Sequence, residues 1–122
     1  MKESTKKWIE RANKDLEISK ELYENCFYEY SCYFSQQAVE KYLKAFLIEN
    51  NKNYPRVHDI KFLINLCSEI DKEFKNLFDI QAEKLTMYYT ETRYPEMEIE
   101  VSEEEAKEAI EIAEKVKEFV LK

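Results

Sequence analysis

The chain has 122 residues, 44% hydrophobic and 37% charged, a single domain's length with enough apolar side chains to build a core. It contains no glycine and only two prolines, which excludes Gly-dependent phosphate loops, the dinucleotide fingerprint and the usual hairpin turns, and makes an all-helical protein the expectation. A formal net charge of -7 and a pI near 4.9 oppose nonspecific binding to nucleic acid, because the long-range field repels phosphate, but they leave room for a small local basic site.

The first segment places Trp8, Ala12, Leu16, Ser19 and Tyr23 on one helical face, with Lys6, Lys7, Arg11, Lys14 and Lys20 around the rest and Ser4 or Thr5 available as N-cap. Asn25 marks a turn. A second helix is predicted from about Tyr28 to Ile48, with two apolar stripes: Phe34, Ala38, Tyr42 and Ala45, and Cys32, Val39, Leu43 and Phe46. A helix covered on two sides is central to its bundle. Its remaining polar residues, Gln36, Gln37, Glu40, Lys41 and Lys44, gather into one narrow strip that either faces water or lines a cleft.

The stretch ENNKNYPRV then ends the helix in a loop, and Asp59 suits the N-cap of a third, short helix carrying Ile60, Leu63, Ile64, Cys67 and Ile70. A fourth helix is predicted through Phe74, Leu77, Phe78, Gln81, Leu85 and Tyr88, after a break near Asp71. Pro95 forces the chain out of helix, and Thr90 to Thr92 supply no apolar anchor, so a loop is expected there. Ser102 and Glu105 form a capping box for a fifth helix with Ala106, Ala109, Ile110, Ala113, Val116 and Val120 at helical spacing. The fold class is therefore all-α, an antiparallel bundle of four to five helices filling residues 1–122 as one domain, with the second helix central and the fifth along the outside.

The start of the chain is too charged for a signal peptide and no apolar run reaches membrane-spanning length, so a cytoplasmic protein is expected. Cys26, Cys32 and Cys67 are odd in number, unpaired in spacing and set in apolar stretches, which reads as reduced thiols in or near the core. With one histidine and no Cys pair, neither a metal site nor a cofactor is expected. The 17 aromatic residues exceed what a small bundle buries, which favours self-association, most simply a symmetric dimer.

Two kinds of residue could carry chemistry. Arg56 and Arg93 are two of only three arginines and flank unusual loop sequence, and arginine is well suited to bidentate phosphate contact. His58, the sole histidine, stands at the start of the third helix as a proton carrier or as an ordinary helix-start side chain.

Together, Trp8 and Asp15-Leu16 in the first helix, SQQAVEKYLKAFL at Ser35 to Leu47, HDI at His58 to Ile60 and YYTETRYP at Tyr88 to Pro95 resemble the HEPN domain family, in order, through about the first hundred residues. The resemblance implies a small antiparallel helical bundle that commonly dimerises, often encoded beside a minimal nucleotidyltransferase as a toxin and antitoxin pair. The wider superfamily's active members are metal-independent ribonucleases. Gln36, Gln37, Glu40, Lys41 and Lys44 match the family's polar strip, His58 and Asp59 its HD pair, and Tyr88, Tyr89, Arg93, Tyr94 and Pro95 its RYP segment.

One departure governs the expected function. Ribonuclease members carry a histidine four to six residues after an arginine, whereas Met97, Glu98 and Ile99 stand at that distance from Arg93, and Arg56 is too close to His58. The expected function is therefore a HEPN-like interaction module that pairs with a nucleotidyltransferase and binds nucleotide or RNA without cleaving it. The binding candidates are Gln37, Lys41, Lys44, His58, Asp59, Tyr88, Arg93 and Tyr94. The alternative is a metal-independent endoribonuclease with a rearranged active site, using His58 as acid or base and Arg56 or Arg93 on the phosphate. A third use of the same residues is a plain nucleotide site, with Lys41, Lys44 and Arg93 on phosphates and Tyr88 or Tyr94 against the base. All three readings place the start of the third helix, the end of the fourth and the C-terminal half of the second around one locally basic cleft.

Overall fold

The computed structural model describes residues 1–93 and 100–122, with side chains through Tyr89 and from Glu100 onward. Five α-helices appear among them, α1 Glu3–Glu24, α2 Tyr28–Glu49, α3 Ile60–Ile70, α4 Thr86–Arg93 and α5 Glu103–Val120, and no strand. The all-helical fold class follows from the period of the apolar residues and stands.

α1 and α2 form an antiparallel hairpin about a turn in which Cys26 takes the left-handed conformation, φ 65°. Its thiol is exposed rather than near the core, because that turn lifts it off both helices, whereas Cys32 and Cys67 are buried. α1 buries Thr5, Ala12, Leu16 and Ser19, the face that its spacing defines. It starts at Glu3 with Lys2 at the N-cap position and no side-chain cap, so neither Ser4 nor Thr5 caps it: Thr5 belongs to the buried face instead. Where the hairpin crosses near its turn, Ser19 Oγ donates to the Ser31 carbonyl at 2.6 Å and lies 2.8 Å from Ser35 Oγ, while Ser31 Oγ donates to the Ser19 carbonyl at 2.8 Å. Small side chains let the helices approach, and these bonds satisfy the hydroxyls that burial takes from water.

α2 is central, touching α1, α3, α4 and α5. From Ser31 to Glu49 none of its residues is exposed, and the buried set includes Gln36, Glu40 and Lys44. Of the polar strip, Gln36, Glu40 and Lys44 therefore lie inside the bundle, while Gln37 and Lys41 are half-buried at its edge. α5 packs on both α2 and α1 through Ala106, Ala109, Ile110, Ile112, Ala113 and Val116, and starts as expected, with Ser102 Oγ accepting from the Glu105 amide at 3.1 Å.

α3 begins where Asp59 accepts from the Phe62 amide and ends at Asp71, whose carboxylate caps the next segment by accepting from the Glu73 amide at 3.0 Å. The single fourth helix predicted from Phe74 onward is not formed. Two 3-10 stretches, Lys72–Phe78 and Ala82–Leu85, precede α4, and Gln81 between them is exposed with φ 57°. Phe74 and Leu77, then Ala82, Leu85 and Tyr88, are buried at steps of three, the period of a 3-10 helix rather than of an α-helix. α4 in turn runs on to Arg93, so Thr90, Glu91 and Thr92 are helical where a loop was expected. With Leu85 and Tyr88 anchoring its start, α4 extends without an apolar residue in its last turn.

Candidate functional site

The middle of α2 meets the end of the 50–59 loop and the second turn of α4. Gln36 Nε2 donates to Glu40 Oε1 at 3.2 Å and to the His58 carbonyl at 3.3 Å. The Glu40 carboxylate also takes the Lys44 ammonium on Oε2 at 2.9 Å and holds Nδ1 of His58 on Oε1 at 2.9 Å. A carboxylate paired with a lysine can only accept, so Nδ1 carries the proton and Nε2 is left as the open nitrogen of the ring. No partner for Nε2 is found among the described residues.

Glu40 is 5% exposed and Lys44 4%, yet the His58 side chain they fix is 42% exposed. One face of its imidazole lies against Tyr89, centroids 3.8 Å apart and planes 19° from parallel. Tyr89 stacks in turn with Tyr33 of α2, at 6.2 Å and 18°. A second polar chain runs along α2 beside the first: Gln37 Nε2 donates to Gln36 Oε1 at 2.7 Å, and Lys41 Nζ donates to Gln37 Oε1 at 3.3 Å and to Asp15 Oδ2 of α1 at 2.5 Å. Beyond Lys44, the loop folds back so that Tyr54 lies 5.6 Å from its ammonium and edge-on to Trp8 of α1 at 4.9 Å.

Of the residues singled out in the sequence, Gln37, Lys41, Lys44 and His58 are thus joined in one connected network. Both lysines are already neutralised by carboxylates of this chain. Asp59 is spent on capping α3, and Tyr88 turns into the core, 5% exposed, where burial pushes its phenol above the usual tyrosine range and pushes the neighbouring Cys32 thiol up to about 12. Arg93 closes α4, and Tyr94 lies outside the described residues. The Ile60 amide donates to Thr86 Oγ1 at 2.9 Å, so the start of α3 meets the stretch where the predicted fourth helix ends; because 3-10 stretches replace the earlier part of that predicted helix, these residues open α4.

Four residues joined to His58 in the site were not among the binding candidates: Gln36, Glu40, Tyr89 and Tyr33. Tyr33 is three residues before Gln36 and four before Gln37, a spacing that could have placed it on the polar face. Tyr89 differs from Tyr88 by a single step of about 100° around the helix, and only packing decides which of two adjacent tyrosines faces the core. No group of three or more metal-ligating side chains occurs among the described residues, and no helix among them is long and apolar enough to cross a membrane.

Comparison with known proteins agrees with this architecture. A candidate toxin of Methanocaldococcus jannaschii, MJ1304, is 31% identical over 129 aligned positions, covering 94% of this chain and 84% of that protein. The crystal structure of ST0689, an archaeal HEPN homologue, superimposes with a TM-score of 0.77 at 28% identity over 99% of this chain and 97% of that one. That of TT1696 from Thermus thermophilus gives 0.80 at 26% identity over 96% and 95%. The HEPN domain profile matches residues 5–122, and the chain belongs to the HEPN domain family.

Proposed function

We propose that this chain is the HEPN member of a cytoplasmic toxin-antitoxin-type pair, with a minimal nucleotidyltransferase as protein partner and a nucleotide or RNA bound at the His58 face, without cleaving the RNA itself. The likeness to a candidate toxin supports the first part. The observation that carries the rest is the state of His58. It is the chain's one histidine, and Glu40 already occupies Nδ1, so each protomer offers a single free imidazole nitrogen. Cleavage of a phosphodiester by acid-base catalysis uses a base for the attacking hydroxyl and an acid for the leaving oxygen, and the histidine that ribonuclease members place four to six residues after their arginine is replaced here by Met97, Glu98 and Ile99 after Arg93. Arg93 at the end of α4 is assigned to the same face by its place in the RYP segment, and a symmetric dimer is the proposed assembly.

The pairing predicts a short nucleotidyltransferase in the neighbouring reading frame, and co-expression of the two tests it. The two proteins are expected to co-purify, and growth arrest caused by one to be relieved by the other. Failure of both effects overturns the pairing.

The endoribonuclease reading keeps one specific observation in its favour: a buried carboxylate orienting a half-exposed imidazole is the arrangement that readies Nε2 for proton transfer. Incubating the purified protein with RNA in the presence of a chelator decides between the two. RNA that stays intact supports the binding module, whereas cleavage that disappears in His58→Ala establishes the nuclease.

A further inference from the structure

The two ends of the α1–α2 hairpin are built alike and charged oppositely. At its turn, Cys26 has φ 65° and the Phe27 amide donates to the Leu22 carbonyl at 2.8 Å; at the far end of α2, Asn51 has φ 60° and the Lys52 amide donates to the Leu47 carbonyl at 2.9 Å. Each is a Schellman closure with a left-handed residue where glycine is usual, in a chain that has none. The residue after the left-handed one is held on a fixed backbone, Phe27 at one end and Lys52 at the other. With 22 residues in each helix the ends are about 33 Å apart, so neither reaches the other within one molecule.

Around the turn, Phe27 and Tyr30 are 56% and 53% exposed and border a cleft of about 720 Å³ whose other side is formed by Glu100, Val101 and Glu105 at the start of α5. Residues 21–30 and 100–105 hold seven carboxylates and no lysine or arginine. The flanking cations are Lys20, which pairs with Glu114, and Lys107. The opposite end reverses the sign. Residues 1–7 and 48–58 hold five lysines and arginines against two carboxylates, of which Glu3 pairs with Lys6 and Glu49 accepts the Lys2 amide at 3.0 Å. There Lys52 and Arg56 line a cleft of about 500 Å³ with Tyr54 and Ile48 as its apolar wall. Both cations are exposed and make no ion pair among the described residues.

We propose that a second copy of this chain docks end to end on the first, its Lys52/Arg56 end meeting the Phe27/Tyr30 cleft. Charge complementarity selects this occupant. Two acidic ends placed face to face would set Glu29, Glu100 and Glu105 against their own copies, and nucleic acid would meet the same carboxylates. The basic end of another copy brings a guanidinium and an ammonium to those carboxylates, and Tyr54 to the two exposed aromatic side chains. The net charge of -7 opposes approach from a distance, but at physiological salt that repulsion is screened beyond about 8 Å, whereas ion pairs form at contact. Because the two surfaces joined are different, the contact is heterologous and leaves an end free on each side for a further copy. It is distinct from the symmetric dimer and does not depend on the nucleotidyltransferase pairing or on any ligand at His58.

The test is sedimentation of the full chain over about a hundredfold range of concentration, in about 0.15 M and about 1 M sodium chloride. At the lower salt the weight-average mass is expected to rise with concentration past twice the 14.8 kDa of one chain, a value that a closed dimer does not exceed, and at the higher salt to stay at or below it. Glu29→Lys with Glu100→Lys, and separately Lys52→Glu with Arg56→Glu, are each expected to abolish the rise. An equal mixture of these two double variants is expected to restore it, because each supplies the charge that the other lacks. Phe27→Ser with Tyr30→Ser is expected to lose the association with its circular dichroism unchanged, since both side chains are exposed and serine suits the N-cap position that Phe27 holds. A parent whose mass never passes that of a dimer, or passes it equally at both salts, overturns the end-to-end contact. Reversed or serine variants that associate like the parent overturn it as well, as does a mixture that associates no better than its components.

Discussion

Nδ1 of His58 lies 2.9 Å from Oε1 of Glu40, so a half-exposed ring at the surface is positioned by a carboxylate sealed within the central helix. That carboxylate is in turn held by Lys44 and Gln36. The network is both part of the core and the support of the site, so disturbing it should register in stability as well as in binding.

Glu40→Gln leaves the buried Lys44 ammonium without its counter-charge, which should cost about 3 kcal/mol or more, since an uncompensated buried charge is penalised far beyond the worth of the pair. Removing both charges in Glu40→Gln with Lys44→Met should recover a large part of that loss. Urea denaturation of the two single variants and the double one gives the coupling. Losses that simply add would show that the pair is not the unit described.

Alkaline stability should be set in part by two thiols. Burial pushes Cys32 and Cys67 from 9.0 up to about 12, so in the folded protein both keep protons that the unfolded chain releases. Between about pH 9 and 12 the native state binds more protons, and stability falls as pH rises, by about 1.4 kcal/mol per pH unit for each group at the limit. Below pH 9 the two thiols contribute no pH dependence. Denaturation midpoints measured over that window should decline less steeply in Cys32→Ala with Cys67→Ala. In the native protein, the exposed Cys26 should be the thiol that a water-soluble thiol reagent modifies first.

The serine cluster that joins α1 to α2 predicts an asymmetry. Ser19→Ala removes the hydroxyl that donates to the Ser31 carbonyl and meets Ser35 Oγ, leaving buried polar atoms unpartnered, at a cost of about 1–3 kcal/mol. Replacing Ser19, Ser31 and Ser35 together by alanine should cost less than three times that amount, because fewer orphaned groups remain. Chemical denaturation of the single and triple variants checks this.

Arg93→Ala should leave stability within about 0.5 kcal/mol, since Arg93 is the last residue of α4 and an ordinary substitution at a helix end is mild. RNA or partner binding should weaken in the same variant. A clear drop in melting temperature with unchanged binding would make Arg93 a structural residue and remove it from the proposed site.

The residues that fix the fold class act locally, and that is why the sequence alone determined it. Apolar side chains at steps of three and four, Asp59 and Ser102 ahead of their helices, and Asn25 and Pro55 between elements each specify backbone conformation within one or two turns, and the all-helical bundle with a central α2 follows from them. The likeness to the HEPN family was legible for a related reason: the polar strip, the HD pair and the RYP segment are short patterns at fixed positions in the chain. What the sequence left open depended on partners distant in the chain. A strip with both signs of charge looks the same whether it meets water or neighbouring helices, and only the docking of α1, the 50–59 loop and α4 buried Glu40 and Lys44 and tied Lys41 to Asp15. The steps of three from Phe74 to Leu77 and from Ala82 to Leu85 fit two helical periods over such short stretches, and packing selected the tighter one. Tyr88 and Tyr89 are the sharpest case: neighbours of the same type, one in the core and one stacked on His58, separated by a rotation about the helix axis that only the position of α4 against α2 could assign.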